Sequence, residues 1–113
     1  MDRFTDMTFL KNFTGGNPEK IKKYVSMFLQ LCPDQLNVMQ GHLHSSNYDS
    51  LRASAHALKP QIIYMGIRRG EELVKAIEHH AGNKTDIEKL PDMMNEFRNV
   101  CHKAMDELRL EIA

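Results

Sequence analysis

Apolar residues recur along this chain at steps of three and four, the spacing of one helical face, and nowhere alternate cleanly with the two-residue period of a half-buried strand. Residues 7–13 (MTFLKNF) predict a short helix that Thr14-Gly15-Gly16 ends. Asn17-Pro18-Glu19 reads as the start of a second helix, with a capping side chain, proline at the first helical position and an acid in the first turn. Ile21, Val25, Phe28, Cys32, Leu36, Met39 and Leu43 form its stripe, which stays in phase across Pro33 and so predicts one long, kinked helix. After the break at His44-Ser45-Ser46-Asn47, a third helix spans Tyr48 to Tyr64, with Leu51, Ala55, Leu58, Ile62 and Met65 on one face and Gly66 at its end. A fourth covers Ile67 to His80 on Leu73, Val74 and Ile77, stopped by Gly82-Asn83. Thr85-Asp86-Ile87-Glu88 has capping-box spacing and opens the last helix, striped by Ile87, Leu90, Met94, Phe97, Cys101, Met105, Leu108 and Ile112. Pro91 near its start either bends that helix or marks its true first turn. These elements predict an all-α fold, an antiparallel four-helix bundle with a short additional N-terminal helix, formed by residues 1–113 as a single domain.

Composition narrows the function. A chain of 113 residues with 42% hydrophobic residues builds one modest core and is too short for a dinucleotide-binding or barrel enzyme. Fifteen basic residues balance fifteen acidic ones, so no net field favours nucleic acid or an anionic membrane. No run approaches a membrane span, and MDRFTDMTFL lacks the layout of a signal peptide. Cys32 and Cys101 stand apart without CxxC spacing, which argues against a disulfide scaffold or zinc module. The expectation is a cytoplasmic monomer, since both long stripes can be satisfied inside one bundle. Met27, Met39, Met94 and Met105 are expected in the core, whereas Met93 and Met7 are candidates for facing a partner.

Six histidines are the obvious candidates for chemistry. His42 and His44 lie two apart and His79 and His80 are adjacent, so neither pair points to one side, and neither forms HExxH or a Glu-x-x-His motif. These four and His102 read as solvated or half-buried helix residues, and no metal site is expected. His56 differs by its angle. It falls roughly 140° from the centre of the third helix's apolar face, hence toward solvent. Asp49, Arg52, Lys59, Pro60 and Ile63 lie within about 60° of it on the same wheel. An exposed imidazole is nucleophilic and largely neutral near neutral pH, and the flanking cations suit it to receive an anionic group.

The run Ala55-His56-Ala57-Leu58-Lys59-Pro60, continuing to Gly66, resembles the signature of histidine-containing phosphotransfer (HPt) domains: A-H-x-L-K-G, then six positions ending in glycine. The short first helix, the Gly-Gly-Asn-Pro entry to the long helix and the long final helix resemble the family too. The resemblance implies that His56 accepts and donates the phosphoryl group through Nε2. It implies that Lys59 meets the phosphoryl oxygens, that Gly66 ends the helix, and that Glu78 on the fourth helix orients the histidine. Pro60 departs from the family's glycine. It removes the amide that would bond the His56 carbonyl, and either tilts the ring outward or crowds it.

The same resemblance implies a phosphoryl carrier that is not an enzyme and holds no cofactor, with Mg²⁺ and the catalytic lysine on the partner. No P-loop or acidic cluster for Mg²⁺ is present. The partners expected are response-regulator receiver domains, including those of a hybrid histidine kinase, docking on Arg52, Pro60, Ile63 and Ile67. The alternative is an HPt-like adaptor that binds a receiver or partner helix without phosphotransfer.

Overall fold

The computed structural model describes residues 3–113, and every regular element among them is helical. The order is α1 (Thr8–Thr14), α2 (Pro18–His44), α3 (Tyr48–Tyr64), α4 (Arg68–Asn83), a 3₁₀ turn (Ile87–Lys89) and α5 (Leu90–Glu111). Helix α2 packs on α3 and α5, α4 packs on the same two, and α1 lies against α2. Each long helix buries the stripe its sequence carries: Phe28, Leu36 and Met39 from α2, Leu51, Leu58 and Ile62 from α3, Val74 and Ile77 from α4, and Leu90, Phe97 and Met105 from α5. Each such side chain contributes about 1.5–3 kcal/mol of apolar burial, which holds the helices together against their conformational entropy.

The helix starts follow local chemistry. Asn17 Oδ1 accepts from the Glu19 and Lys20 amides at 2.9 and 3.1 Å, with Pro18 in the first turn, and Asn47 Oδ1 accepts from Ser50 N–H at 3.3 Å. Helix α2 runs unbroken through Pro33, as its phase predicts. The expected capping box is not formed. Asp86 takes a left-handed conformation, residues 87–89 form the 3₁₀ turn, and α5 begins at Leu90 with Pro91 in its first turn. Proline needs no amide partner at that position, so it sets the start in place of Thr85 and Glu88.

The α3–α4 turn decides where Ile67 goes. Gly66 is left-handed at φ +64°, Gly66 N–H donates to Ile63 O at 3.0 Å, and Ile67 N–H donates to Ile62 O at 3.2 Å. This is the paired hydrogen-bond pattern of a Schellman turn, which packs the residue after the glycine against the helix it terminates. Ile67 is therefore buried, 1% exposed, and is not part of the outer patch expected from the sequence. Helix α4 accordingly starts one residue later, and it ends at Asn83 with Lys84 left-handed, beyond the expected stop.

The N-terminal segment crosses to α5. Glu107 accepts from Phe4 N–H, Thr5 N–H and Thr5 Oγ1 at 2.7, 3.1 and 2.9 Å, and the Asp6 backbone lies where a side chain on Gly66 would stand. This path buries Met7, which removes it as a candidate for facing a partner. Met27 is corrected in the opposite sense: it is 56% exposed and the core side of α2 is filled by Val25 and Phe28. Cys32 and Cys101, remote in sequence, meet in the core as free thiols, and contact with Cys32 followed by burial pushes the Cys101 thiol far up, so it is a poor nucleophile.

Candidate functional site

Helices α3 and α4 run antiparallel, and their facing outer edges meet as a series of rungs. His56 and Lys59 of α3 both face Glu78 of α4; one helical turn toward the start of α3, Arg52 lies against Gly82; and Asp49 reaches Lys84 at 3.4 Å. Buried Leu58 and Ile62 fix the rotation of α3, and buried Val74 and Ile77 fix that of α4. With both helices so oriented, His56 points outward with 64% of its side chain exposed, in agreement with its angle on the helical wheel.

Glu78 bridges the two α3 residues. Its Oε2 lies 2.5 Å from His56 Nδ1 and its Oε1 accepts from Lys59 Nζ at 2.8 Å, and the Glu78 side chain is only 19% exposed. The Lys59 hydrogen bond holds the Glu78 carboxyl below its ordinary range; burial opposes that shift and the His56 hydrogen bond adds to it. An ionised carboxylate only accepts hydrogen bonds, so Nδ1 must be the donor. In the neutral ring the proton therefore sits on Nδ1, and Nε2 keeps its lone pair, on an exposed edge of a convex surface. Such an arrangement presents a nucleophilic nitrogen to a group brought from outside, with an acid behind it to stabilise a ring that becomes cationic on reaction.

Pro60 sits inside α3 without ending it, so the His56 carbonyl has no amide partner four residues on. Pro60 is half-buried and Ile63 is 37% exposed, so both contribute to the surface beside the imidazole. The apolar surface continues onto α2 and, in a direction the sequence reading missed, onto α1. Phe9, Phe13, Tyr24, Met27 and Tyr64 line a groove of about 210 Å³, with the Phe9 ring stacked on Tyr64 at 5.3 Å and Phe13 edge-on to Tyr24 at 5.7 Å. The i, i+4 spacing of Phe9 and Phe13 on α1 was the available signal. Two of the remaining histidines are engaged locally, His80 with the Thr85 carbonyl at 2.8 Å and His79 with Asn83. Among the described residues no group of three or more His, Cys, Asp or Glu is placed to hold a metal ion, and no helix is long and apolar enough to cross a membrane.

A family model described as the Hpt domain matches residues 23–111, which run from the second turn of α2 to the end of α5 and include the whole His56 site. No curated protein and no solved structure matches the chain. With the match covering most of the chain, and an all-helical fold around an exposed histidine, the protein belongs to the histidine-containing phosphotransfer domain family, whose members are phosphocarrier modules of phosphorelays and not catalytic enzymes.

Proposed function

We propose that this protein accepts a phosphoryl group on His56 from the aspartyl phosphate of a receiver domain and passes it to a second receiver. The observation that carries this reading is the Nδ1–Glu78 hydrogen bond at 2.5 Å on a ring that is 64% exposed. The Nε2 lone pair attacks phosphorus as the aspartyl oxygen–phosphorus bond breaks, so the receiver's aspartate leaves as a carboxylate. The ring, now bonded to phosphorus at Nε2 and still protonated at Nδ1, is cationic, and Glu78 offsets that charge. Lys59, held one turn from His56 by Glu78, supplies a cation for the phosphoryl oxygens. Return of the group to a carboxylate is the reverse sequence. Mg²⁺ and the remaining cation belong to the receiver, and this chain needs no cofactor of its own.

Docking uses the convex face around His56. Arg52, Pro60 and Ile63 surround the imidazole, and the exposed aromatic groove at Phe13, Met27 and Tyr64 extends the apolar area to α1 and α2. A transient relay encounter needs only a modest interface of this kind. The ring of contacts α2–α3–α4–α5 is read as an antiparallel four-helix bundle, and the chain as a monomer.

The test is intact-mass analysis after incubation with phosphoramidate and, separately, with a phosphorylated receiver, for wild type and His56→Gln. Gain of one acid-labile phosphoryl group by wild type alone, with an unchanged melting temperature in the variant, is the expected result. Absence of modification by either donor would refute the carrier reading in favour of a receiver-binding adaptor acting through the same aromatic and apolar face.

A further inference from the structure

Gly82 is in the wrong place for a helix-ending glycine. The left-handed residue at the end of α4 is Lys84, at φ +53°, where glycine would be favoured, whereas Gly82 lies within the helix with no positive φ. A helical glycine is less favourable than alanine, so its conformation does not account for it. Space does. A Cβ on Gly82 would stand 2.7 Å from Cδ and 3.3 Å from Cγ of Arg52, the residue one turn before His56 on the same face. The missing side chain is a seat for the Arg52 stem.

The neighbouring rung accounts for the charge. Asp49, one turn further back on α3 and three residues before Arg52, pairs instead with Lys84 at 3.4 Å. The strained left-handed Lys84 thus occupies Asp49, and Arg52 forms no ion pair among the described residues. Lys59 by contrast is tied to Glu78. Of the three cations along this edge, Arg52 alone has no carboxylate partner among the described residues, and its stem lies in the space a Gly82 side chain would fill. Holding the stem lowers the rotamer entropy lost when the guanidinium engages a partner, which is the physical advantage of a seated arginine over a free one.

We infer that Arg52, seated on Gly82, is a partner-reading cation: it binds the anionic rim of the phosphoryl-donating partner rather than the phosphoryl group on His56. This rests on the carrier reading proposed above, because a donor that delivers a phosphoryl group to His56 brings an anionic surface to the turn beside it. A guanidinium there forms charge-assisted, bidentate contacts with carboxylates of that rim, speeding and orienting the encounter.

The experiment begins with phosphoramidate, a donor without a docking surface. A wild type that neither phosphoramidate nor any charged receiver modifies defeats the carrier reading and this inference together. A wild type that phosphoramidate modifies but that no member of a panel of acetyl-phosphate-charged receiver domains phosphorylates overturns this inference alone. With a receiver that does transfer, Arg52→Ala raises KM for the charged receiver about 5- to 10-fold, the loss of one rim charge contact, with kcat within about twofold. Gly82→Ala displaces the flexible Arg52 stem and raises KM in the same sense. In an Arg52→Ala background, Gly82→Ala adds nothing to KM and raises the melting temperature, since only helix propensity is left to act. An unchanged KM in Arg52→Ala overturns the inference, as does a loss that falls on kcat and appears equally with phosphoramidate, which would assign Arg52 to the phosphoryl group. Additive effects of the two substitutions on KM would overturn the role of Gly82 as a seat.

Discussion

Replacing Glu78 by glutamine removes one charge and almost no volume, and it isolates the group on which the orientation of His56 depends. A glutamate carboxylate can only accept from Nδ1, whereas the glutamine amide can accept through oxygen or donate through nitrogen, so the ring is no longer held in one tautomer. The magnitude follows from geometry. A hydrogen bond to a charged group contributes about 1.5–3 kcal/mol when protected, but the imidazole is 64% exposed and solvent screens the pair. Discounting toward the range of exposed ion pairs leaves about 1 kcal/mol. If that energy is lost from the reactive ring, the rate of phosphorylation by a small donor falls about fivefold. The same loss lowers the melting temperature by about 4 °C. The assay is the initial rate of phosphohistidine formation with phosphoramidate, read by intact mass, beside ¹⁵N shifts of the His56 ring at neutral pH. Wild type should show a protonated Nδ1 and an unprotonated Nε2, and Glu78→Gln a mixture of the two tautomers. A wild-type ring protonated at Nε2, or a rate indifferent to the substitution, would refute the assignment of Nε2 as the attacking atom.

Two further outcomes concern the scaffold. Gly66→Ala should cost at least about 2 kcal/mol, because a left-handed alanine is disfavoured by about 1–2 kcal/mol and its methyl would meet the Asp6 backbone; a change in urea midpoint equivalent to less than about 0.5 kcal/mol would show that the turn relaxes freely. Acid should destabilise the fold through Glu78 and Glu107, whose carboxyls lie below their ordinary value of 4.5. For Glu107, burial alone would raise the carboxyl, and the hydrogen bonds from Phe4 and Thr5 together with Arg3 overcome it. A folded pKa below the unfolded one means the unfolded chain binds more protons in that interval. The stabilisation is therefore complete above about pH 4.5 and is lost as pH falls through the lower folded values. Urea midpoints measured between about pH 6 and pH 3 should fall less steeply for Glu107→Gln than for wild type, and equal slopes would exclude Glu107 as a source of the acid response.

The helices were legible because each follows from near neighbours: a stripe at steps of three and four, an asparagine cap before proline or tyrosine, a glycine pair after α1. The outward direction of His56 was legible for the same reason, since Leu58 and Ile62 lie on its own helix and fix its angle. Local reading failed where two local signals competed or where a turn redirected the chain. Thr85 and Glu88 had the spacing of a capping box, yet Pro91 set the helix start. Ile67 continued the apolar run beside His56, yet the Gly66 turn rotated it into the core. Met7 and Met27 exchanged roles because the path of the N-terminal segment and the exact rotation of α2 depend on contacts with other helices.

What the amino-acid sequence determined by itself is therefore an all-helical chain with an exposed histidine in a recognisable motif, because periodicity and capping act over a few residues. Only the tertiary structure decided what surrounds that histidine. The bridge from Glu78 to His56 and Lys59 spans about twenty residues, the Arg52 stem crosses Gly82 thirty residues on, and Cys32 meets Cys101 from the middle stretches of two long helices. Each of these depends on the longitudinal register of one helix against another. That register is set by how buried side chains interdigitate across the core, and a stripe on a single helix carries no record of it.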